Sequence, residues 1–482
     1  MGEPAGAGIR GILKSPVSTA THTPEPPHYT IREDGPYRLP DGLRVNLPLY
    51  VLRRFFKPAN PILLFEYLVR TYGDASSYRV FNTPILLLNR PEWVQEILID
   101  KAGSLVKERT QRRMKILMGE GLITSEGSFH MRQRRIAAPA FHRQRIANYA
   151  DIMAQQAAVL REPWQPGATL DIAAEMMHLS LEVVARTLFA TEVTPEVRSI
   201  SDDVNVVMDL YTFLISLPRA ESYLHWPIPG LMRFRKARRR IDLVMAKIIA
   251  AHRARSEDRG DLLSMLIAAR DTEDDRSGMS DEQLRDEVVT IFLAGYETVA
   301  NAMTWTWYLL SQNAEVEQRF HREIDLALGG KLPTLADIPR LNYVERVLAE
   351  SIRLFPPVWA MGREAAEDMS VGPFRVRKGT MLYVSQYLIH RDARYFPDPQ
   401  RFDPDRFLPE NSVARPRFAY FPFGAGNRQC IGEAFAWMEG TLLLATLAQK
   451  WRLRLVPGHP VDVQPKITLR PKFGMKMTVE SR

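Results

Sequence analysis

The chain has 482 residues, of which 45% are hydrophobic and 25% are charged, and its single cysteine excludes an internal disulfide. These proportions are typical of a globular protein and exclude wholesale disorder. The net charge of +8 suggests an acidic partner, but no nucleic-acid-binding motif accompanies it, so we expect no nucleic acid. A lone cysteine fits a reducing compartment, and we therefore expect a cytoplasmic protein.

The first 45 residues are rich in proline and small residues. They predict an N-terminal arm that lies on the surface or is partly disordered, ahead of one domain over residues 46–482. Glu3 lies where the apolar core of a signal peptide should begin, so we expect no transmembrane anchor at this end. Beyond the arm, the stretches Ser77–Phe81 and Ile85–Leu88 flank a turn at Pro84 and predict a small hairpin.

The pattern from about Arg90 to Asn313 is mainly helical, and the segment Gly127–Arg135 predicts a basic helix within it. His130 and Arg134 are four residues apart, so they lie on one face of that helix and can both donate hydrogen bonds to an anion. The alternative is a basic face that is merely solvated.

A long apolar stretch runs from Val288 to Leu310 with a single charge, Glu297, and a capping box at Ser280 and Gln283 precedes it. The stretch is long enough to cross a bilayer, so a membrane span is one alternative. Several polar side chains fall near one face of the helix, namely Thr290, Glu297, Asn301 and Thr304. Because such groups are costly inside a membrane, we favour a helix through the core of a large globular domain.

Helical character resumes at Glu315 and ends at Phe355, where two prolines follow. Glu350 and Arg353 lie three residues apart on one face of this helix and can form an ion pair, although such pairs are common and carry little information alone. The remaining predicted elements are strands at Phe374–Val376 and Met381–Val384, a proline-rich loop from Asp392 to Phe423, a helix over Gly432–Trp451 and a β-rich tail.

The strongest chemical signal is the loop from Phe423 to Gly432, which holds Cys430 just before a predicted helix. Free N–H groups and the positive end of the helix dipole would lower the pKa of this thiol and favour the thiolate, which is a strongly donating metal ligand. Gly426 and Gly432 would let a flat macrocycle approach the backbone. Phe423 could pack against such a ligand, and Arg428 could meet an anionic group at its edge. The alternative is a structural cysteine in a glycine-rich turn.

The pattern F-x-x-G-x-R-x-C-x-G resembles the haem-binding loop of the cytochrome P450 family, and the resemblance extends from about residue 45 to the C-terminus. It implies a mainly α fold with small β-sheets, in which haem lies between a long distal helix and the proximal helix after the cysteine loop. The cofactor would be haem b (iron protoporphyrin IX), with Cys430 as the axial thiolate ligand of its iron.

The same resemblance assigns roles to other positions. His130, where the family usually has an aromatic residue, would bind a haem propionate together with Arg134 and Arg363. Pro404–Phe407 resembles a later family element, and its Arg406 would join Glu350 and Arg353 in a structural cluster that holds the cysteine loop in place.

The segment Ala294–Thr298 resembles the family's distal motif, in which Gly295 leaves room for dioxygen, and Thr298 and Glu297 assist proton delivery. The alternative is that Glu297 is a buried acid in a salt bridge and that Thr298 bonds a backbone carbonyl. By family position the substrate pocket would contain Phe292, Ala294, Gly295, Val358, Trp359, Ala360 and Phe473, together with segments near Leu105–Leu122 and Met208–Leu217. The lining is mainly apolar, so we expect a lipophilic substrate, and fatty acid, terpenoid and steroid all remain open.

The resemblance implies a soluble monooxygenase that inserts one oxygen atom from O2 into this substrate. We expect a monomer that takes two electrons from a separate ferredoxin or flavodoxin with its NAD(P)H reductase. Arginines near the basic helix could attract such an acidic partner, or could form a merely solvated face: Arg132, Arg135, Arg143 and Arg145. A peroxygenase, an isomerase and a non-catalytic haem sensor are the alternative functions.

Overall fold

The computed structural model describes residues 28–46, 60–80, 82–191, 224–254, 261–270 and 278–482, with scattered positions between 194 and 222. Three sequence expectations therefore fall wholly or partly outside the described residues. They concern residues 1–27 of the expected arm, Phe81 of the expected hairpin and most of the segment 208–217.

Helices form most of the described structure. In chain order they are α1 (Pro61–Tyr72), α2 (Pro91–Gln95), α3 (Arg109–Arg113), α4 (Lys115–Met118), α5 (Gly127–Ala137), α6 (Arg143–Ile146), α7 (Ala150–Arg161), α8 (Ile172–Leu188), α9 (Pro229–Arg253), α10 (Leu262–Ala268), α11 (Asp281–Gln312), α12 (Ala314–Leu328), α13 (Asn342–Leu354), α14 (Gln386–Ile389), α15 (Pro409–Ser412) and α16 (Glu433–Ala448). The helix expected from 315 to 355 is thus divided into α12 and α13, with a short 3-10 turn at Leu335–Arg340 between them.

The strands form small sheets. They are β1 (Ile31–Asp34), β2 (Tyr37–Pro40), β3 (Gly42–Asn46), β4 (Ala75–Val80), β5 (Thr83–Leu88), β6 (Leu105–Lys107), β7 (Thr169–Asp171), β8 (Met361–Ala365), β9 (Met369–Val371), β10 (Phe374–Val376), β11 (Met381–Val384), β12 (Trp451–Leu455), β13 (Val463–Pro465), β14 (Leu469–Pro471) and β15 (Lys476–Ser481). The sheet orders are β1-β2-β10-β9, β3-β4-β5-β11-β8-β6, β12-β15-β7 and β13-β14.

Helix α11 is the central element of the fold. It begins after Ser280, whose hydroxyl caps the helix while Gln283 reaches back to the cap, as the sequence predicts. Most of its side chains are buried, and α8 packs along it. Glu297 is therefore buried among other protein elements. Of the helices in the described part of the chain, none is long and apolar enough to cross a membrane.

The structure differs from the expected N-terminal arm over residues 31–46, which form strands. Strand β2 pairs with β10 far along the chain, and Leu39 of β2 is buried. The high proline content obscured the short apolar alternation in the sequence. The predicted hairpin is confirmed as the antiparallel pair β4 and β5.

Two strands carry side chains toward the cysteine loop region. Strands β6 and β8 are antiparallel, and their register places Lys107 opposite Arg363 and Leu105 opposite Ala365. Helix α16 begins at Glu433, three positions after Cys430, so the cysteine loop leads directly into it.

Candidate active site

The cysteine loop is closed by backbone contacts. The N–H of Cys430 donates to the carbonyl oxygen of Phe423 at 2.9 Å, and the Phe423 ring packs on Trp437 of α16 with centroids 5.5 Å apart. Gly426 has a φ of +65°, and a Cβ there would lie 2.4 Å from the carbonyl oxygen of Leu98. Glycine at this position is thus required by the close approach of the loop to Leu98, which the sequence could not reveal.

The Cys430 side chain keeps an exposed surface, although protein atoms surround the thiol closely enough for burial to raise its pKa to about 11. We interpret the exposed surface as the wall of an interior recess, since a thiol on the outer surface would not be desolvated. The N–H of Gly432 and the charge of Arg134 act in the opposite direction, and Glu433 raises the pKa further. The expected lowering of the thiol pKa by the helix is therefore outweighed by burial in the protein alone.

Basic side chains from four separate segments converge beside this loop: Lys107, His130, Arg134, Arg363 and Arg428. Arg428 donates to the carbonyl oxygen of Ser125 at 2.7 Å and forms an ion pair with Glu126. Burial lowers the pKa of Lys107 to about 6, and the charge of Arg428 lowers it further. Nζ of Lys107 donates to the backbone oxygens of Leu122 and Ile123.

His130 lies inside this cluster and is neutral. Burial lowers its pKa to about 3, and the charges of Arg428 and Lys107 lower it further. Its Nδ1 lies 3.2 Å from Ser125 Oγ, and its Nε2 lies 3.4 Å from the carbonyl oxygen of Asn427. A hydrogen bond from His130 to an anion would therefore come from a neutral imidazole, unlike one from Arg134.

The cluster contains more positively charged groups than there are neighbouring carboxylates to pair with them. Among the described residues, no carboxylate pairs with Arg134 or Arg363, and Arg363 donates only to the carbonyl oxygen of Gly362, at 2.8 Å. Because buried cations are normally paired, the cluster fits a bound group that carries carboxylates of its own. Beside this cluster, the thiol of Cys430 faces a recess and can act as a metal ligand. The donor set therefore fits haem b, with a propionate-bearing edge against the basic cluster.

The distal helix offers one partly exposed face. From residue 286 to residue 307 every side chain of α11 is buried except those of Ala294, Gly295 and Thr298. These positions lie on one face because α-helical residues four apart are aligned. A Cβ on Gly295 would lie 3.1 Å from Val184 of α8, so the glycine also permits close packing of these helices.

The contacts of Glu297 and Thr298 match the alternative given above, in which Glu297 is a buried acid in a salt bridge and Thr298 bonds a backbone carbonyl. The Thr298 hydroxyl donates to the carbonyl oxygen of Ala294 at 2.8 Å, and Arg470 Nε lies 2.8 Å from Glu297 Oε1. The hydroxyl of Thr468 donates to the same carboxylate oxygen. A role for either residue in proton delivery stays a prediction, and Thr298 would have to rotate to donate elsewhere.

The structure contradicts the expected position of one pocket residue. Phe292 is fully buried, and its ring packs on Phe189 and Tyr296 with centroids 5.9 and 5.7 Å apart. Two residues along a helix correspond to a rotation of about 200°, so Phe292 points away from the face of Ala294. Phe292 therefore belongs to the core.

The other expected pocket residues lie in three environments. Ala294 and Gly295 are on the partly exposed face of α11, and Val358 and Ala360 are half-buried. The Trp359 indole donates to the carbonyl oxygen of Lys466 at 2.9 Å. Phe473 is exposed, with the Lys472 ammonium 5.0 Å from its ring centroid, so it does not have the enclosed environment that a pocket wall requires.

Two members of the structural cluster, Glu350 and Arg353, lie on α13 and are fully buried. Glu350 and Arg353 pair through two contacts of 2.6 and 2.8 Å, and Arg406 Nε lies 3.3 Å from Glu350 Oε1. Arg353 also donates to the carbonyl oxygens of His390, Pro399 and Arg401. The cluster thus ties α13 to the long loop that precedes the cysteine loop. Its role in holding the haem site stays a prediction.

Two residues of this region were missed by sequence reasoning. Lys107 ends a three-residue strand, and Arg470 lies in the tail, where a basic residue is usually solvated. No local pattern marks either one, since both are defined by partners more than a hundred residues away.

The sequence is similar to known proteins over most of its length. A sequence model of the family described as “Cytochrome P450” matches residues 39–477. The chain is 38% identical over 404 residues to cyclooctatin synthase from Streptomyces melanosporofaciens, spanning 83% of the chain and 87% of that protein. It is 37% identical over 394 residues to cyclooctat-9-en-7-ol 5-monooxygenase from the same organism, spanning 80% and 84%. Pentalenene oxygenase from Streptomyces avermitilis is 34% identical over 400 residues, spanning 82% and 87%.

Proposed function

Because the chain belongs to the cytochrome P450 family, we propose that this oxidoreductase inserts one oxygen atom from O2 into a cyclic terpenoid. The three relatives named above include two whose names describe oxygenation of terpenoids, at 37% and 34% identity. The structural observation that carries the proposal is the face of α11, where Ala294 and Gly295 offer an apolar surface with the single hydroxyl of Thr298. An apolar hydrocarbon skeleton suits such a surface.

Haem b, bound through the only cysteine, supplies the activation of dioxygen and the transfer of one oxygen atom. We assign the orientation of the cofactor to the basic cluster, in which Arg134, Arg363 and Lys107 hold its carboxylates. The partly exposed face of α11 positions the substrate and limits access of water. The hydroxyl of Thr298 holds a proton beside that face. When Thr298 gives up this proton, the neighbouring Glu297 can supply another one.

The electrons, in this proposal, come from a separate acidic ferredoxin or flavodoxin and its NAD(P)H reductase. Arg145 lies within α6, which follows the basic helix α5 in the chain, and its side chain is exposed. Arg132 already donates to the carbonyl oxygen of Gly278 at 3.3 Å, and the side chain of Arg143 lies outside the described residues. Arg145 is therefore our candidate for charge-steered docking of the donor. The lone cysteine supports the proposal of a cytoplasmic compartment.

The proposal is tested with a panel of cyclic terpene hydrocarbons and alcohols, with fatty acids and steroids as comparison classes. Each compound is screened for a haem spin-state shift, and compounds that bind are incubated with NADPH, a surrogate ferredoxin and its reductase. We expect a terpenoid to give the largest shift and a product heavier by one oxygen atom, labelled by 18O2.

Other results would contradict parts of the proposal. Binding and oxygenation confined to fatty acids or steroids would refute the substrate class. Product formation with hydrogen peroxide but never with O2 and NADPH would favour the peroxygenase alternative.

A further inference from the structure

Glu297 on α11 is anchored to the hairpin of β13 and β14 through one of its two carboxylate oxygens. Arg470 Nε lies 2.8 Å from Oε1, and the Thr468 hydroxyl donates to that same oxygen. No described residue donates a hydrogen bond to Oε2. Among the described residues, the carboxylate therefore has donors at Oε1 and none at Oε2.

Two uncharged hydrogen bonds also attach this hairpin to α11. Asn301 Nδ2 donates to Thr468 Oγ1 at 3.2 Å, and the Trp305 indole donates to the carbonyl oxygen of Leu469 at 3.1 Å. Both contacts join the same hairpin to the same helix without a charge. Burying an ion pair is often neutral or unfavourable compared with apolar packing, so a structural staple alone does not explain Glu297 and Arg470.

The hairpin also contacts the segment that follows α13. The N–H of Leu469 donates to the carbonyl oxygen of Pro357 at 2.9 Å, and the Trp359 indole donates to the carbonyl oxygen of Lys466. The neighbouring residues Val358 and Ala360 are expected to border the substrate. The hairpin thus connects that border to the acid that precedes Thr298 in sequence.

We propose that Arg470 is a positioning residue for Glu297 and that the hairpin links the substrate border to proton delivery. Arg470 and Thr468 fix Oε1, which leaves Oε2 to accept a proton from solvent and to release it toward the Thr298 hydroxyl. Glu297 ends each cycle unchanged, because one proton enters and one leaves. Arg470 remains protonated throughout and exchanges none. This inference rests on the proposed monooxygenase function.

The test counts hydrogen peroxide released per NADPH consumed, with a surrogate ferredoxin and its reductase. Impaired proton delivery releases oxygen as hydrogen peroxide, whereas efficient delivery gives water or product. The ratio is measured in H2O and in D2O, with and without the best-binding terpene, so it does not depend on finding a substrate. The proteins are wild type, Arg470→Gln, Arg470→Lys, Glu297→Gln and the double variant Glu297→Gln/Arg470→Gln.

We expect Arg470→Gln to raise the peroxide ratio severalfold and to change the solvent isotope effect, while haem content and the terpene-induced spin-state shift stay near wild type. Arg470→Lys should restore part of the wild-type behaviour, because it keeps the charge but not the geometry. The double variant should match Glu297→Gln, since Arg470 acts through that carboxylate. Lys472→Gln is the matched control, because Lys472 follows the hairpin and pairs instead with Asp462 at 3.0 Å.

The inference fails if Arg470→Gln behaves like Lys472→Gln, or if its effect persists in full when Glu297 is already glutamine. If Arg470→Gln does not bind haem, Thr468→Val replaces it, since this variant removes the other donor to Oε1 and keeps the ion pair. An unchanged peroxide ratio in Thr468→Val would then overturn the inference. A wild type that consumes no NADPH would refute the proposed function and this inference together, whereas an active wild type with an unaffected Arg470→Gln refutes the inference alone.

Discussion

Lys107 and Arg363 lie directly opposite each other on the antiparallel strands β6 and β8, and both side chains are buried. Like charges at facing positions of a sheet repel, and burial adds a further penalty. Burial lowers the pKa of Lys107 to about 6 and that of Arg363 to about 10. An anionic partner beside these two side chains would relieve both penalties, and haem carboxylates would be such a partner.

The first prediction is that Lys107→Met loses haem faster than wild type. A hydrogen bond to a charged group contributes about 1.5–3 kcal/mol, so the rate of haem transfer to apomyoglobin should rise roughly tenfold or more. Arg134→Ala should act in the same direction. The control is Lys115→Met, which removes an exposed lysine that pairs with Glu120. Equal transfer rates for Lys107→Met and this control would show that Lys107 does not bind the cofactor.

The second prediction concerns a buried acid outside the site. Glu439 on α16 is fully buried; its Oε1 accepts from Ser180 Oγ at 3.0 Å, and its Oε2 has no partner. Burial raises the pKa of Glu439 to about 8. The folded protein therefore binds this proton more tightly than the unfolded chain, and stability is lost as pH rises from about 4.3 to about 8.

Glu439→Gln should remove this component of the pH dependence. The free energy of unfolding is measured by denaturant titration across that range, and the wild type should lose stability relative to the variant by at most about 1.4 kcal/mol per pH unit. Glu410→Gln, at an exposed glutamate, is the control and should follow wild type. Parallel pH profiles for wild type and Glu439→Gln would contradict the prediction.

The sequence predicted the elements that are marked by local patterns. The capping box at Ser280 fixed the start of α11, and the β4–β5 hairpin and the strands β10 and β11 appear where their apolar runs indicate. The sequence also predicted the pairing of Glu350 with Arg353, because residues three positions apart in a helix lie on the same face.

Features that depend on long-range packing could not be predicted. Phe292 was assigned to the pocket by family position, but in the structure its ring packs on Phe189. The proposed roles of Lys107 and Arg470 depend on partners in distant elements, which are Arg363 on β8 and Glu297 on α11. The pKa of Cys430 was expected to fall, because a sequence shows the following helix but not the degree of burial.

The third prediction is that Thr298→Ala keeps haem and substrate binding but diverts reducing equivalents to hydrogen peroxide. The hydroxyl of Thr298 is the one polar side chain on the partly exposed face of α11, so its loss removes the nearest proton donor. Thr306→Ala is a matched control, because Thr306 donates to the carbonyl oxygen of Ala302 at the same 2.8 Å but is fully buried. Unchanged coupling of NADPH to product in Thr298→Ala would make Thr298 dispensable.

The fourth prediction concerns the electron donor. Reduction of the ferric protein by an acidic ferredoxin should slow as salt rises, because the Debye length shrinks to about 8 Å at physiological ionic strength. Arg145→Glu should slow the bimolecular step at low salt more than Arg239→Glu, which reverses an exposed charge on α9. A rate that responds equally to both variants would remove Arg145 from the docking surface.

The central claim is that Cys430 is the thiolate ligand of haem iron, and the absorption spectrum of the reduced carbon monoxide complex tests it most directly. The wild type should show the strongly red-shifted Soret band of a thiolate-ligated haem. Cys430→Ser should lack that band even when it retains haem, because the chain contains no other cysteine that could replace the ligand. Persistence of the red-shifted band in Cys430→Ser would contradict the account.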